Sequence, residues 1–363
     1  MRIKNSLVLI IMLVLLSGCM GVQTKVLDEI NMVSAVSYDS DKDLGKRGFK
    51  ATAVTPYYLP DKTVKTVSFS ANSNLSKETR DKTNLQSDKP IFSGKLKVAI
   101  FSKEMAKQHL FPLTDTFLRD PSIGGSLILA VADKNASDII TTKPEGIENE
   151  DVGSYLAKEI NHNIKAGLLP KTNLHVFTYA YYAEGADTFL PVVDLKMGKP
   201  YVKGIALFNE DKYVYQTKGI ESILFKMLLE HTSKLGYAAK LDGDLVSIHN
   251  IRSKRSYTIK KPMTSEPITI HLKVIAFLRE YSNPHPSKNF TKKIEKQLEQ
   301  DIEKKGEKLI KKLQDLDIDS LGIGDQVRTR TRNWDKKAWE KMYHTIPIRV
   351  KANVKIEESG VIE

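Results

Sequence analysis

The sequence predicts an α+β fold with two to three domains, each a mostly antiparallel or mixed sheet with packed helices. Strand-like alternation and helix-like apolar stripes occur along the whole chain, without the strict strand–helix–strand rhythm of a doubly wound sheet. The chain has 363 residues, which exceeds the usual size of a single domain. Its 41% hydrophobic and 28% charged residues are ordinary for a globular protein, so wholesale disorder is not expected.

The first half mixes predicted strands with short predicted helices. Three segments have strand patterns: Phe49–Tyr58, 96–100 and 127–132. Helices are predicted after Ser76, from Ser102 as the cap, and up to Pro121, because proline disfavours helical geometry in the residue before it. The rest of the polar stretch 61–90 is expected to be loop.

A clear helix and two further strands are predicted in the middle of the chain. Asp151 can cap a helix whose apolar residues are spaced by four: Val152, Leu156, Ile160 and Ile164. Strands are predicted over Leu174–Tyr182 and 202–208. The stretch 190–200 is predicted to be a linker between them.

The second half has the cleaner patterns. Apolar residues occupy every second position over 268–278 and again over 346–356, which predicts two strands with one buried face. An apolar face over 220–228 predicts a helix that Gly236 ends. We interpret Asp242-Gly243-Asp244 as a turn between strands, because the rest of an EF-hand calcium loop is missing.

A long helix is predicted from Thr291 to about Gln314, after a break at Asn283-Pro284-His285-Pro286. Gly306 interrupts its apolar stripe at a cost of about 1 kcal/mol relative to alanine. Residues 292–312 contain eight lysines and five acidic residues. This pattern is typical of a solvated helix face with ion pairs four residues apart, and the alternative is a face near lipid headgroups.

The first 18 residues have the layout of a secretory signal peptide. Two cations, Arg2 and Lys4, precede an apolar run over 7–16 that is too short for a hydrocarbon core of about 30 Å. The run Leu16-Ser17-Gly18-Cys19 is similar to the lipobox of bacterial lipoproteins, in which the cysteine thiol is alkylated by a diacylglycerol. Because Cys19 is the only cysteine, it cannot form an internal disulfide. We predict a lipoprotein signal peptide over 1–18 and lipid attachment at Cys19; the alternative is an ordinary signal peptide with an incidental thiol.

The basic balance of the chain fits an exported protein at a membrane surface. The net charge of +12 becomes +10 when Arg2 and Lys4 leave with the signal peptide. An exported protein seldom meets nucleic acid, so we predict no nucleic-acid partner. We attribute the charge to solubility and to attraction by anionic lipids.

Motifs for chemistry are missing from the sequence. The eight histidines show no HExxH or comparable spacing, and no GxSxG, GxGxxG or GxxxxGK[ST] string occurs. We therefore predict no catalytic residue, no metal site and no cofactor. Arg330, Arg332 and Trp334 lie near Trp339, and anion or base binding is one interpretation of them. The interpretation we favour is that Trp334, Ala338 and Met342 pack as one helical face while the charges face water.

Several strings together resemble the spore germination GerAC (Ger(x)C) family. They follow the lipobox in the family's order: Leu96-Lys97-Val98, Ser102-Lys103-Glu104, Leu118-Arg119-Asp120-Pro121, Leu190-Pro191, 203–208 with Asp211-Lys212, Leu321-Gly322-Ile323-Gly324, Arg328 to Arg332, Trp334 to Lys337, Trp339, Pro347 and Gly360. Two positions depart from the family pattern. Met20-Gly21 replaces a frequent Trp-Asp after the cysteine, and Phe92-Ser93-Gly94 replaces a frequent Phe-Gly-His.

This resemblance implies a non-enzymatic C subunit of a nutrient germinant receptor, needed for spore germination in response to nutrients. Its partners would be an A subunit and a polytopic B subunit, and its place the spore inner membrane, lipid-anchored with the body on the outer face. The division expected is an N-terminal region over 19–198 (one or two subdomains) and a C-terminal GerAC-type domain over 199–363. Small-molecule binding is not expected in this subunit. Two alternatives stay open: a solute-binding lipoprotein that captures a small nutrient between domains, and an exported hydrolase with a dispersed active site.

Overall fold

The computed structural model describes residues 29–241, 243–282 and 290–357. Fourteen strands lie in this part of the chain: β1 Asn31–Met32, β2 Ala35–Ser40, β3 Phe49–Tyr58, β4 Val64–Ser73, β5 Ile91–Phe92, β6 Val98–Ser102, β7 Ile128–Ala132, β8 Phe189–Lys196, β9 Lys199–Asn209, β10 Lys212–Thr217, β11 Thr232–Leu241, β12 Asp244–Thr258, β13 Ile268–Tyr281 and β14 Ile348–Glu357. Ten α-helices lie in the same part: α1 Ser76–Asn84, α2 Lys103–Ala106, α3 Phe111–Leu118, α4 Ala136–Thr141, α5 Val152–Lys165, α6 Leu174–Tyr182, α7 Ile220–Leu229, α8 Phe290–Asp315, α9 Ile323–Arg328 and α10 Lys336–Tyr343. The predicted α+β class with mixed sheets is confirmed.

Eight strands form one mixed sheet in the order β10-β9-β8-β7-β6-β2-β3-β4. Its centre is parallel, since β2 pairs with β6, β6 with β7 and β7 with β8 in that sense. Each flank is antiparallel: β3 and β4 continue from β2, and β9 and β10 continue from β8. Strands β6 and β7 are buried along their whole length, which explains why their sequences are almost entirely apolar.

Four strands form a second sheet in the order β11-β12-β13-β14. The first three make an antiparallel meander, whereas β14 pairs with β13 in parallel, from Ile268↔Ile348 to Phe277↔Glu357. A parallel pair needs a long crossover connection, and α8 lies within it.

Helix α8 lies along the free edge of β14 and bonds to it through four glutamates. Their carboxylates accept hydrogen bonds of 2.7–3.0 Å from alternate backbone N–H groups of β14: Glu295 from Ile356, Glu299 from Val354, Glu303 from Ala352 and Glu307 from Val350. We call these four residues the glutamate ladder. Gly306 lies where α8 packs closely against β14, because a Cβ there would be 3.3 Å from a Val350 methyl group.

The two faces of the eight-stranded sheet belong to two cores. One face shares a continuous core with α4, α5, α7, α8 and the four-stranded sheet. The other face packs against α2, α3 and α6. The two sheets are therefore joined by buried apolar contacts.

The structure corrects two predictions in the middle of the chain. Leu174–Tyr182 is helix α6 and not a strand: the Asn173 side chain caps it by accepting from the Val176 N–H at 2.9 Å, and Leu174, Phe177 and Ala180 form its buried face. The predicted linker 190–200 consists of most of β8, the turn at 197–198 and the start of β9. Pro191 is tolerated there because β8 pairs with β7 only at Val192 and Val193.

Other boundaries also differ from prediction. The polar stretch 61–90 contains β4, and α7 ends at Leu229, so Gly236 lies inside β11 instead of ending a helix. The predicted strand Phe49–Tyr58 and the predicted helices after Ser76 and Asp151 are confirmed. The break at 283–286 lies outside the described residues, as does Asp242.

The predicted division between 198 and 199 falls at the turn that joins β8 to β9 within the eight-stranded sheet. The number and limits of the domains stay a prediction. Over 29–357, apart from residue 242 and residues 283–289, no helix combines the length and apolarity that crossing a bilayer requires.

Candidate functional site

The predicted lipid-attachment residue, Cys19, and the predicted signal peptide lie outside the described residues, and both stay predictions. Gly360, which contributes to the family resemblance, also lies outside them. The described chain enters the fold at β1, beside the short parallel strand β5. Several of the other strings of the resemblance lie at three places in the fold.

The first place is a junction formed by Gly185, Asp187, Asp319, Gly324 and Trp339, which we call the aspartate junction. Its glycines allow two backbones to touch: a Cβ on Gly185 would lie 2.4 Å from the carbonyl carbon of Gly324. A Cβ on Gly324 would lie 2.4 Å from the indole nitrogen of Trp339. The string Leu321-Gly322-Ile323-Gly324 thus brings α9 against the loop that leads into β8.

Two carboxylates, the buried Asp319 and the half-buried Asp187, hold this junction by accepting backbone hydrogen bonds. Asp319 accepts from the N–H groups of Ile323 at 2.8 Å and Gly324 at 2.7 Å. Asp187 accepts from Glu210 at 2.7 Å and from Asp319 itself at 2.6 Å. Burial raises the pKa of Asp187 to about 6 and that of Asp319 well above its usual range. Both carboxylates fix loops in place, which is a positioning role.

The second place is the turn between β9 and β10, where Asp211 reaches the start of α3. Its carboxylate accepts from the Phe111 N–H at 2.9 Å and lies 2.7 Å from Nδ1 of His109. The Leu110 N–H also bonds to the backbone oxygen of Asp211 at 3.3 Å. Asp211 therefore ties the helical layer on one face of the sheet to its β9–β10 hairpin.

The third place is an ion cluster near the carboxyl ends of β6 and β7. Asp133 pairs with Lys103 at 3.3 Å and with Lys203, and Lys203 also pairs with Asp194 at 3.0 Å. Hydrogen bonding to Lys203 lowers the pKa of Asp133. Two cations and two carboxylates neutralise one another here, so the cluster joins β7, β8 and β9. Sequence reasoning missed it, although both carboxylates come at the end of apolar strand patterns.

The arginine–tryptophan segment is mainly a packing element. Trp339 is 2% exposed and lies 6.0 Å from Trp334 and 5.7 Å from Tyr343, measured between ring centroids. Trp334 and Met342 pack partly against the core, but Ala338 is exposed, so the predicted face is only partly right. The residues buried on α10 are Trp339 and Tyr343.

The lysine-rich helix α8 presents a cationic face to solvent. Four of its acidic residues bond to β14 in the glutamate ladder, and Asp301 accepts from the Tyr237 hydroxyl at 2.5 Å. The exposed side chains include several lysines: Lys292, Lys296, Lys304, Lys308 and Lys311. Five acids of α8 bond to the body of the protein, and the exposed Asp315 pairs with Lys311, at 2.9 Å, so the outer face of α8 carries an excess of lysines.

A cavity of about 500 Å³ lies between α1, the end of α3 and one face of the eight-stranded sheet. Its floor is formed by β2 and β3, and its rim by the loop 119–123. Within the described residues, no three His, Cys, Asp or Glu side chains are grouped as ligands of a metal ion.

Comparison with known proteins identifies two matching family models. "Spore germination protein N-terminal domain" matches residues 23–195, and "Spore germination B3/GerAC like, C-terminal" matches residues 203–360. The two models follow one another in order and together span most of the chain.

Two relatives are similar to this chain in sequence, and one solved structure is similar to it in fold. Spore germination protein GerQC of Bacillus cereus is 28% identical, over 99% of this chain and 100% of that protein. The putative spore germination protein YfkR of Bacillus subtilis (strain 168) is 22% identical, over 81% of this chain and 79% of that protein. The crystal structure of the GerBC protein matches 88% of this chain and 96% of its own with a TM-score of 0.54 at 17% identity, which shows a common fold.

Proposed function

Because the chain belongs to the GerAC family of spore germination proteins, we propose that it is the lipid-anchored C subunit of a nutrient germinant receptor. The observation that carries this proposal is the match of both family models, in order, with a relative of full length that is a spore germination protein. In this role the subunit needs no catalysis of its own. It acts through contacts with an A subunit and a polytopic B subunit.

Attachment to the spore inner membrane follows from Cys19 in this proposal. One acyl chain holds a protein at a membrane only marginally, whereas the two chains of a diacylglycerol hold it stably. The cationic outer face of α8 supports the same placement, because each lysine near an anionic leaflet contributes about 1 kcal/mol of attraction. The body then lies on the outer face of the membrane.

Signal transfer in this proposal depends on contacts between subunits. A nutrient bound elsewhere in the receptor can act through this chain only if it changes the free energy of those contacts. The shared core joins the two sheets of this chain, and the aspartate junction joins the loop before β8 to α9 and α10. In this proposal a displacement of one sheet is passed to the other through these contacts.

The proposal is tested by comparing spores that carry the tagged wild-type chain, Cys19→Ala or the control Gln23→Ala. We expect Cys19→Ala to remove incorporation of a labelled fatty acid, to release the folded body from membranes and to lower germination in response to nutrient. Wild type and Gln23→Ala should both stay in the membrane and co-purify with a polytopic protein. Normal receptor levels and a normal nutrient response in Cys19→Ala would contradict the anchor. A wild-type chain that leaves the spore membrane as a clean monomer would contradict the receptor role.

A further inference from the structure

The cavity beside α1 exists because the helix that covers it has no apolar side chain. The helix sequence is Ser-Lys-Glu-Thr-Arg-Asp-Lys-Thr-Asn, and its buried residues are Thr79 and Thr83. The sheet below contributes the cross-strand pairs Val36↔Ala53 and Tyr38↔Ala51, so half of this floor is alanine. Protein interiors are usually packed as densely as organic crystals. Here small residues face one another, and a space of about 500 Å³ is left between them.

Four hydroxyl groups that line the cavity are already hydrogen-bonded. The hydroxyls of Thr79, Thr83 and Thr116 donate to backbone oxygens three residues earlier in their own helices, at 2.7, 2.9 and 2.7 Å. The Ser122 hydroxyl donates to Asp120 at 2.6 Å. These threonines therefore offer mainly their methyl groups to an occupant. Such a surface favours an apolar ligand, because a polar one would lose its hydrogen bonds to water without replacing them.

The rim of the cavity is positively charged. Its lining contains three cations, Lys77, Arg80 and Arg119, and one carboxylate, Asp120. Arg80 pairs with Asp120 across the rim at 3.2 Å, and Arg119 pairs with Asp115 at 2.6 Å. Once these two pairs are counted as neutral, the charge of Lys77 is left over. An anionic group at the rim would therefore be attracted, while the interior would hold an apolar body.

We propose that this cavity binds one single-chain amphiphile with an anionic head, such as a long-chain carboxylate. The tail lies over Ala51 and Ala53 under α1, and the head lies at Lys77. A volume of about 500 Å³ is within the range of about 300–1,000 Å³ that is usual for small-molecule sites. The site does not depend on the proposed receptor role, and it differs from our expectation that this subunit binds no small molecule. A free fatty acid and an anionic single-chain phospholipid share this chemistry.

The test uses the full chain with Cys19→Ala, so that no attached lipid competes, and the fluorescent fatty acid cis-parinaric acid as the probe. We expect saturable binding of one molecule per chain. Ala53→Leu fills the floor and should weaken binding at least tenfold, whereas the matched control Ala238→Leu, exposed on β11, should not change it. Thr83→Leu fills the same space from the helix side and should act like Ala53→Leu. It replaces that variant if Ala53→Leu does not fold.

The head group is tested separately. Lys77→Gln should weaken binding of the acid about three- to tenfold and leave binding of its methyl ester unchanged, because Lys77 is the rim cation that no carboxylate pairs with in the described residues. The control Lys254→Gln removes an exposed lysine from β12 in the other sheet. Competition by palmitate and by lysophosphatidylglycerol identifies the class of ligand. Stronger competition by palmitate indicates a free fatty acid, and stronger competition by lysophosphatidylglycerol indicates a single-chain membrane lipid. Absence of saturable binding, or equal binding by wild type and both cavity-filling variants, would overturn the proposal.

Discussion

Several polar side chains in this protein, buried or half-buried, bond to the backbone of a distant segment. Asp211 reaches Phe111, Asp187 reaches Asp319, and the ammonium group of Lys226 bonds to the backbone oxygen of Leu169. Lys226 is only 3% exposed, and it also pairs with Glu230 at 2.9 Å. Removing one such side chain leaves the backbone group unpaired, which typically costs about 1–3 kcal/mol. These residues connect loops that the sheets alone would not fix.

Glu159 differs, because one of its carboxylate oxygens is buried without a hydrogen-bond partner among the described residues. Burial raises its pKa from 4.5 to about 7. The folded protein therefore binds a proton more tightly than the unfolded chain, so the contribution of Glu159 to stability falls as pH rises from about 4.5 to 7 and is constant above that.

We expect Glu159→Gln to be more stable than wild type at pH 8 and close to it at pH 4. Urea unfolding at several pH values measures the difference in the free energy of unfolding. The control Glu280→Gln, exposed on β13, should show no such dependence. A Glu159→Gln difference that is constant from pH 4 to pH 8 would show that this carboxyl does not titrate as described.

At the scale of the elements, the glutamate ladder follows from a match of two repeats. Four residues of helix rise about 6.0 Å and two residues of strand about 6.6 Å, so glutamates four apart meet every second amide of β14. The helix and the strand run in opposite directions, because Glu295 bonds to Ile356 and Glu307 to Val350. The same spacing predicts ion pairs along a solvated helix, which is how we interpreted it from the sequence.

The ladder should stabilise β14 in a measurable way. Replacing both Glu299 and Glu303 with alanine leaves two strand amides unpaired, and we expect a loss of about 2–6 kcal/mol in the free energy of unfolding. Hydrogen exchange should speed up at the amides of Ala352 and Val354. The double variant Lys304→Ala with Lys308→Ala, on the exposed side of α8, should stay within about 1 kcal/mol of wild type. Equal exchange rates in both double variants would contradict the ladder.

The patterns with a single strong period were predicted correctly from the sequence, and the ambiguous ones were not. Alternation predicted β13 and β14, and a spacing of four predicted α5 and α8. Helix α6 was predicted as a strand because aromatic and β-branched residues dominate Leu174–Tyr182. Its capping residue, Asn173, was the available signal and was overlooked.

At the scale of the molecule, the sites depend on strand pairing that one sequence does not reveal. The aspartate junction brings together residues more than 130 positions apart, since Asp187 accepts from Asp319. The cavity requires the pairing of β2 with β3 and the placement of α1 above them. The residues of the aspartate junction can be read in the sequence, but the sequence does not show that they are in contact.

A substitution at Gly324 tests the contact between α9 and the loop that leads into β8. Gly324→Ala would place a Cβ 2.4 Å from Trp339 and 2.9 Å from the Gly185 backbone, and we expect a loss of about 1–3 kcal/mol from this overpacking. Gly236→Ala is the matched control, because a Cβ there meets its nearest atom at 3.8 Å. Thermal unfolding followed by tryptophan fluorescence compares the two. A wild-type midpoint in Gly324→Ala would show that the backbones are not in contact.

The parallel pairing of β13 with β14 sets an order of events as the chain folds. The meander β11–β12–β13 needs only neighbouring segments, whereas β14 must wait until α8 has crossed and residues 348–357 are available. Until then β13 has an open edge, and open edges are templates for association with other chains. A chain that is arrested or cleaved before residue 348 is therefore expected to be prone to aggregation. In the folded protein, β14 covers the open edge of β13 and so prevents that association.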